Sequence, residues 1–233
     1  MLSIFRTTPK ILPVVSVNGV GEVKAKPNIA YLPINVISRG PTTQEAISEN
    51  ATLTKTLIDT LRGSGIKNED LETGGPRVDA EYKEENEDSE ETKEPELIGY
   101  RAFNTVQAII RDIKNVGNII DIVASAGNYP IGRAIYDLDD DTSIHSLKLA
   151  LTSAVKDARF KAKTAVAQEG KVISDLKSMT LNDNRSFGAG NPKAMRAQAA
   201  MMMQSGPQTQ VNPEDITIST SVQVEYFVDD ARR

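Results

Sequence analysis

The sequence predicts an α+β protein with largely antiparallel sheets and three main helices packed on one side. The clearest observation is the last apolar segment, residues 216–228, where apolar and polar residues alternate as in a strand with one buried face. Three other segments, beginning near residues 42, 115 and 142, repeat apolar residues every three or four positions, as amphipathic helices do. The resulting order, ββαββαβαββ, gathers helices on one face of a mainly antiparallel arrangement, which defines the α+β class.

The chain opens with two predicted strands. Residues 14–25 form the first, and Gly19 and Gly21 indicate a bulge or a close approach of another backbone segment. Residues 26–28 form a turn, and the second strand follows. Its apolar residues alternate with others: Ala30, Leu32, Ile34 and Val36. Pro33 cannot donate to a strand ladder, so this strand is predicted to lie at an edge there or to be bulged.

The first predicted helix begins at a capping box. Thr42 and Glu45 have the spacing in which the two residues satisfy the first N–H groups of a helix. Gly63 and Gly65 are expected to end the helix, because glycine readily adopts the left-handed conformation of a helix end. The predicted buried face consists of Ala46, Ile47, Leu53, Leu57, Ile58 and Leu61.

A strongly acidic segment follows the third predicted strand, residues 71–82. Residues 81–96 hold nine acidic residues and two lysines, a local charge of −7. So polar a segment cannot offset its own ordering entropy, and we predict that residues 83–96 form a mobile hairpin tip. Its charges would be solvated and would prevent edge-to-edge pairing. The alternatives are weak calcium binding and recruitment of a basic partner.

Two strand–helix pairs come next. A long strand begins at Ile98, and Asn115 is predicted to cap a helix that Gly127 closes. The inward residues of that helix are Val116, Ile119, Ile120 and Val123. Residues 131–138 form a short strand. The longest helix, residues 142–169, then carries an apolar stripe: Ile144, Leu147, Leu151, Ala154, Val155, Ala158, Ala162, Ala165 and Val166.

Four residues at the start of the longest helix are candidates for a metal site: Asp139, Asp140, Asp141 and His145. Three carboxylates and an imidazole can hold a divalent cation. Alternatively, the aspartates cap the helix and complement its dipole, and the histidine lies on its solvent side. The capping alternative is favoured, because the spacing is not that of a calcium-binding loop.

The C-terminal part combines two strands with a long excursion. A strand is predicted over residues 172–181, and residues 182–214 are rich in Asn, Gly, Pro, Gln and Met. Within the excursion, a short helix carries candidates for contact with a partner or another subunit: Met195, Met201, Met202 and Met203. The alternatives are insertion at a membrane interface and a loop that folds back on the domain. Residues 1–13 are predicted to be an N-terminal extension and residues 14–229 one domain.

Composition excludes several classes of function. The chain has no cysteine, which rules out disulfides, thiolate metal ligands and cysteine nucleophiles. Its charge of −5 includes no large basic field, so nucleic-acid binding is not expected. No window approaches the roughly 20 apolar residues of a membrane span. Residues 1–15 lack the apolar run of a signal peptide, so we expect a cytoplasmic protein or one that follows a cleaved leader.

Catalytic motifs are not recognised either. Gly19 and Gly21 lie within a strand, and no helix follows to receive a phosphate, so they do not form a nucleotide-binding loop. His145 is the one histidine, and no serine elbow accompanies it. We therefore predict no catalytic residue and no cofactor.

Four segments, in order, resemble the SIMPL-domain family. The opening VSVNGVGEVKAKPNIA is similar to the family's V-x-G-x-G-E-V-x-x-x-P-D-x-A, and GYRAFN to its G-Y-x-A-x-N strand. AVKDARFKA resembles the family's A-x-x-D-A-R-x-K-A helix, and MRAQAAMMM with PEDITISTSVQVEYFV its Met-Ala-rich loop and closing strand. The resemblance spans roughly residues 14–228. It departs at Asn28, where the family usually has Asp, and at Asn18, which matches the family's first glycine.

The resemblance implies a fold and a general type of function, and it does not imply a particular reaction. The family includes periplasmic immunogenic proteins, proteins of oxidative-stress defence and animal signalling adaptors, and some members look like large rings or channels. We therefore predict a non-enzymatic, self-associating envelope or adaptor protein of SIMPL type, linked to stress defence, that forms a homo-oligomer and binds protein partners. The alternatives are a membrane-associated ring or channel component and a divalent-metal-dependent enzyme.

Overall fold

The computed structural model describes residues 12–83, 96–188 and 213–231. In chain order its elements are β1 (Val14–Ala25), β2 (Ile29–Gly40), α1 (Thr43–Gly63), β3 (Leu71–Thr73), β4 (Arg77–Tyr82), β5 (Leu97–Ile110), α2 (Val116–Ala126), β6 (Ile135–Asp137), α3 (Asp140–Ala167), β7 (Lys171–Gly188) and β8 (Ile216–Asp230). Three helices with antiparallel strands confirm the α+β class. Nearly all of the predicted acidic tip, Met195 and residues 201–203 lie outside the described residues.

The chain divides into two compact units, and the first contains β1, α3, β7 and β8. Its three strands form an antiparallel sheet in the order β1-β8-β7. One face of this sheet packs against α3. The alternation predicted for the last strand is confirmed, since its buried residues share that face: Ile218, Val222, Val224, Tyr226 and Val228.

The buried face of α3 is a row of residues spaced by four, all of them small except the last: Ser146, Ala150, Ala154, Ala158, Ala162 and Val166. Small side chains are needed because β1 lies directly against the helix backbone. A Cβ atom built on Gly19 would lie 2.0 Å from the carbonyl oxygen of Ala154, and one built on Gly21 would lie 1.9 Å from that of Ala150. The close approach predicted for the two glycines is confirmed.

The apolar stripe predicted for α3 is wrong at Ile144 and Ala165. Ile144 is 66% exposed, and Ala165 is also exposed. The helix turns its alanine row toward the sheet, because bulkier side chains would hold β1 away from the helix. Leu151 and Val155 flank the row and are partly buried.

The second unit contains the remaining elements, from β2 to β6. Its strands pair antiparallel in the order β3-β5-β2-β6, and β4 also pairs with β5. The core lies between this sheet and the helices α1 and α2. Its buried residues are Ala30, Leu32, Ile34, Val36, Leu57, Leu61, Val106, Ala108, Ile110, Val116, Ile119 and Val123.

The edge or bulge predicted at Pro33 is wrong, because Pro33 pairs with Gln107 of β5 on one side and residues 130–132 bond to β2 on the other. Strand β6 pairs only with residues 29–31 of β2. Beyond them, the Pro33 carbonyl oxygen accepts a hydrogen bond from Gly132 N at 2.8 Å on the β6 side. The missing N–H of Pro33 therefore interrupts no regular ladder.

Several strand boundaries differ from those predicted. Residues 71–82 form two strands, because Gly74–Pro76 interrupts them. Strand β6 covers only Ile135–Asp137 of the predicted residues 131–138, and Ile131 contributes an isolated bridge to Ile34. Strand β7 continues to Gly188, beyond the predicted end at Leu181, because three irregularities in its pairing with β8 disturb the alternation of its residues.

The termini of α1 follow their sequence signals. Thr42 Oγ1 accepts a hydrogen bond from Glu45 N at 3.3 Å. At the other end Gly65 has a φ of 95°, and Ile66 N donates to the carbonyl oxygen of Leu61 at 3.1 Å. The helix α2 is different, because Asn115 precedes it without a side-chain bond to the helix backbone, and the Asn115 Oδ1 atom accepts from Asn118 Nδ2 instead.

Candidate functional site

The residues predicted as metal candidates lie at the N-terminus of α3 and form its cap. Asp139 Oδ1 accepts a hydrogen bond from Thr142 N at 2.8 Å. Asp140 and Asp141 lie in the first turn of the helix, and His145 is exposed. Among the described residues, no three His, Asp or Glu side chains are grouped so that they could hold a metal ion. This arrangement is the capping alternative.

A buried polar network, which was not predicted from the sequence, joins α1 to the sheet of the second unit. Asn50 is 1% exposed, and its Nδ2 donates to the carbonyl oxygens of Val36 at 3.0 Å and Ala102 at 3.3 Å. Thr54 Oγ1 donates to Asn50 Oδ1 and accepts from Asn104 Nδ2, both at 3.4 Å. The network holds the helix on the sheet by hydrogen bonds where an apolar contact was expected.

A shallow groove of about 490 Å³ lies above this network. Its rim carries Lys55, Asp59 and Arg62. Lys55 Nζ lies 2.7 Å from Asp59 Oδ2, and Arg62 Nη1 lies 3.5 Å from Asp59 Oδ1. The hydrogen bond from Lys55 lowers the pKa of the Asp59 carboxyl below its ordinary value. The charged groups of the rim are thus bonded to one another, as in a surface ion network.

One sequence signal could have identified the network. Asn50 and Thr54 continue the spacing of three or four residues that runs from Ala46 to Leu57, so the helical period alone places them on the buried face of α1. Ile47 was predicted on that face, but it is 39% exposed. Polar residues were left out of the predicted face because they are seldom buried without a partner.

The third member of the network is a residue of the family motif. Asn104 is the last residue of the segment GYRAFN, which carries the resemblance to the G-Y-x-A-x-N strand. Its Oδ1 also accepts from Thr105 N at 2.9 Å. The motif asparagine therefore has a structural role, which is to join β5 to α1.

The free edge of β1 is closed at its middle by two side chains of α3. Val20 N donates to Asp157 Oδ2 at 2.8 Å, and Lys161 Nζ donates to the carbonyl oxygen of Asn18 at 3.1 Å. Lys161 Nζ also lies 2.6 Å from Asp157 Oδ2. The hydrogen bond from Lys161 and then that from Val20 lower the pKa of Asp157. The motif A-x-x-D-A-R-x-K-A thus supplies partners for edge backbone groups.

The opposite end of the same sheet presents an uncovered apolar row. Leu176, Met179 and Leu181 of β7 lie directly opposite Tyr226, Val224 and Val222 of β8. Directly paired residues lie on the same face of a sheet. The three β7 residues are therefore on the face whose β8 residues pack against α3. Leu176 is nonetheless 52% exposed, Met179 38% and Leu181 50%. This row, residues 176, 179 and 181, is the candidate interaction surface.

Within the described residues, the helices are too short or too polar to cross a lipid bilayer. The longest of them, α3, carries charged residues along its whole length. The structure therefore adds no candidate span to the sequence.

Comparison with known proteins finds one family and two similar relatives. The SIMPL family, described as "Protein of unknown function (DUF541)", matches residues 15–226. The 26 kDa periplasmic immunogenic protein of Brucella melitensis biotype 1 is 27% identical over 161 residues, which are 68% of this chain and 64% of the relative. The protein of the same name from Brucella abortus (strain S19) has the same identity and coverage. The chain thus spans 64% of the length of these curated relatives.

Proposed function

The chain belongs to the SIMPL family, and from that membership we propose that it is a non-enzymatic protein of the cell envelope that acts by self-association, as a scaffold or adaptor. The name of the two similar Brucella proteins describes them as periplasmic, which supports an envelope location for this chain. A link to oxidative-stress defence rests on the family resemblance.

The observation that carries the proposal is the apolar row on β7. In monomeric proteins exposed apolar residues are usually scattered, and a continuous set on one face marks an interaction site. Here Leu176, Met179 and Leu181 extend the core face of a sheet past the edge of the helix that covers it. A partner laid on this edge would complete the layer that α3 begins.

The roles of the motif residues support a non-catalytic function. Asp157 and Lys161 bond to the backbone of β1, and Asn104 bonds to Thr54 and Thr105. These three polar residues of the motifs through which the chain resembles its family thus have structural roles.

Light scattering of the purified full chain across a wide range of concentration tests the proposal. We expect an oligomer whose population grows with concentration, and a species that stays monomeric throughout would contradict self-association. Leu176→Glu should weaken the oligomer, because it places a charge in the apolar row. Leu149→Glu is the matched control, since Leu149 lies on α3 and is 47% exposed, close to the 52% of Leu176.

The location is tested separately by fractionation of cells that express the full-length gene product with a C-terminal tag. Recovery with periplasmic or envelope markers is expected. Recovery with cytoplasmic markers would contradict the envelope location and leave self-association to be judged by light scattering. Survival of a deletion strain under peroxide tests the link to stress defence, and survival equal to the parent would remove it.

A further inference from the structure

We propose that two copies of the chain pair through β7, edge to edge and antiparallel, about a twofold axis at Thr180. This inference rests on the proposed self-association and names its surface, partner and register. The resulting sheet would be continuous across the two copies, with both apolar rows on the same face. The partner is a second copy for reasons of backbone direction and side-chain pairing.

The direction of the backbone groups in β7 follows from the bond that closes β1. Val20 N points away from β8 to reach Asp157, so Val20 and its partner Ser221 form a non-hydrogen-bonded pair. Ser221 therefore directs its N–H and C=O toward β7, where it pairs with Asn182. In an antiparallel pair every second residue directs its N–H and C=O to the same neighbouring strand, so Thr180 bonds to β8 as Asn182 does. Met179 and Leu181 direct their N–H and C=O to the outer edge of β7, where the described part of the chain supplies no further strand.

The length of regular edge selects the register. Pairing of β7 with β8 is regular from Ser178 to Asn182 and shifts at each end of that stretch. Thr180 is its central residue. An antiparallel copy centred there places Thr180 of one copy opposite Thr180 of the other. Met179 of each copy then lies opposite Leu181 of the other, and the outward N–H and C=O groups of these two residues bond to each other. The whole regular stretch is then paired.

The side chains that meet in this register are compatible. Met179 of one copy and Leu181 of the other lie on the same face, so the pairing covers two residues of the apolar row. Thr180 meets Thr180 on the opposite face, a cross-strand pair that contributes favourably. Ser178 falls opposite Asn182.

A single cysteine tests the register, because the chain contains none of its own. In a non-hydrogen-bonded antiparallel pair the Cα atoms are about 4.5 Å apart, within the roughly 4.4–6.8 Å that a disulfide spans. Thr180→Cys should therefore give a covalent dimer on mild oxidation. Ser178→Cys is the matched control on the same strand. Position 178 of one copy would lie about four residues along the strand, roughly 13 Å, from position 178 of the other, so this variant should not cross-link.

The result separates this inference from the proposed function. A cross-link at position 180 and none at position 178 supports the pairing. Equal cross-linking at the two positions, or none at position 180, overturns it, while an oligomer of the unmodified chain in light scattering would leave self-association standing. A chain that is monomeric at every concentration overturns both.

Discussion

Replacing Gly21 by alanine should force β1 away from α3. The added Cβ would lie 1.9 Å from the carbonyl oxygen of Ala150 and 2.6 Å from the backbone nitrogen of Ala154. Contact at an ordinary separation of 3.4 Å requires a local shift of about 1.5 Å. Because the obstruction is backbone on both sides, rotation of a side chain cannot relieve it. Overpacking typically costs about 1–3 kcal/mol, and we expect a loss of about 3 kcal/mol here.

Urea unfolding followed by far-UV circular dichroism measures this loss. Gly63→Ala is the matched control, because a Cβ at the end of α1 would meet nothing within 4 Å and should stabilise the helix by about 0.5–1 kcal/mol. Ala150→Gly should not rescue Gly21→Ala, since the atom in the way is a backbone oxygen. A Gly21→Ala variant within about 0.5 kcal/mol of wild type would refute the close approach of strand and helix.

Two further predictions concern the polar contacts. Asn50→Ala leaves buried partners of its amide group unsatisfied and should lower the free energy of unfolding by about 1–3 kcal/mol. Thr52→Ala, on the exposed side of α1, should stay within about 0.5 kcal/mol of wild type. Equal losses in the two variants would argue against the network. Asp157 has a pKa below its ordinary 3.8, mainly because of Lys161 and then Val20. Its stabilising effect is therefore full above that value and is lost as pH falls through the lowered pKa. In unfolding experiments at a series of pH values, wild type should be more stable than Asp157→Asn near pH 7, and the difference should shrink below about pH 4. A difference that is the same at all pH values would contradict this role.

Elements that are set by local pattern could be predicted from the sequence. The alternation of β8 and the cap residues of α1 depend on neighbours in the chain, and the structure has both where they were expected. The two glycines of β1 predicted a close approach, although the sequence could not say which element approaches.

Features that depend on distant partners could not be predicted in the same way. The buried face of α3 is chosen by the backbone of β1, so alanines are buried and Ile144 is exposed although hydropathy ranks them in the opposite order. Asn50 is buried because Val36 and Ala102 supply acceptors from two strands far away in sequence. The apolar row on β7 was hidden by the shifts in its pairing, which break the period of two.

The closure of β1 by Asp157 and Lys161 limits how far strand addition can go. A sheet that is open at both ends can recruit one molecule after another, which is the route to fibrils. In the three-stranded sheet, side chains of α3 bind the outward carbonyl oxygen of Asn18 and the outward N–H of Val20, so a further strand cannot pair regularly with the middle of β1. Strand addition at β7 is therefore not matched at β1, and loss of both side chains would free the two backbone groups.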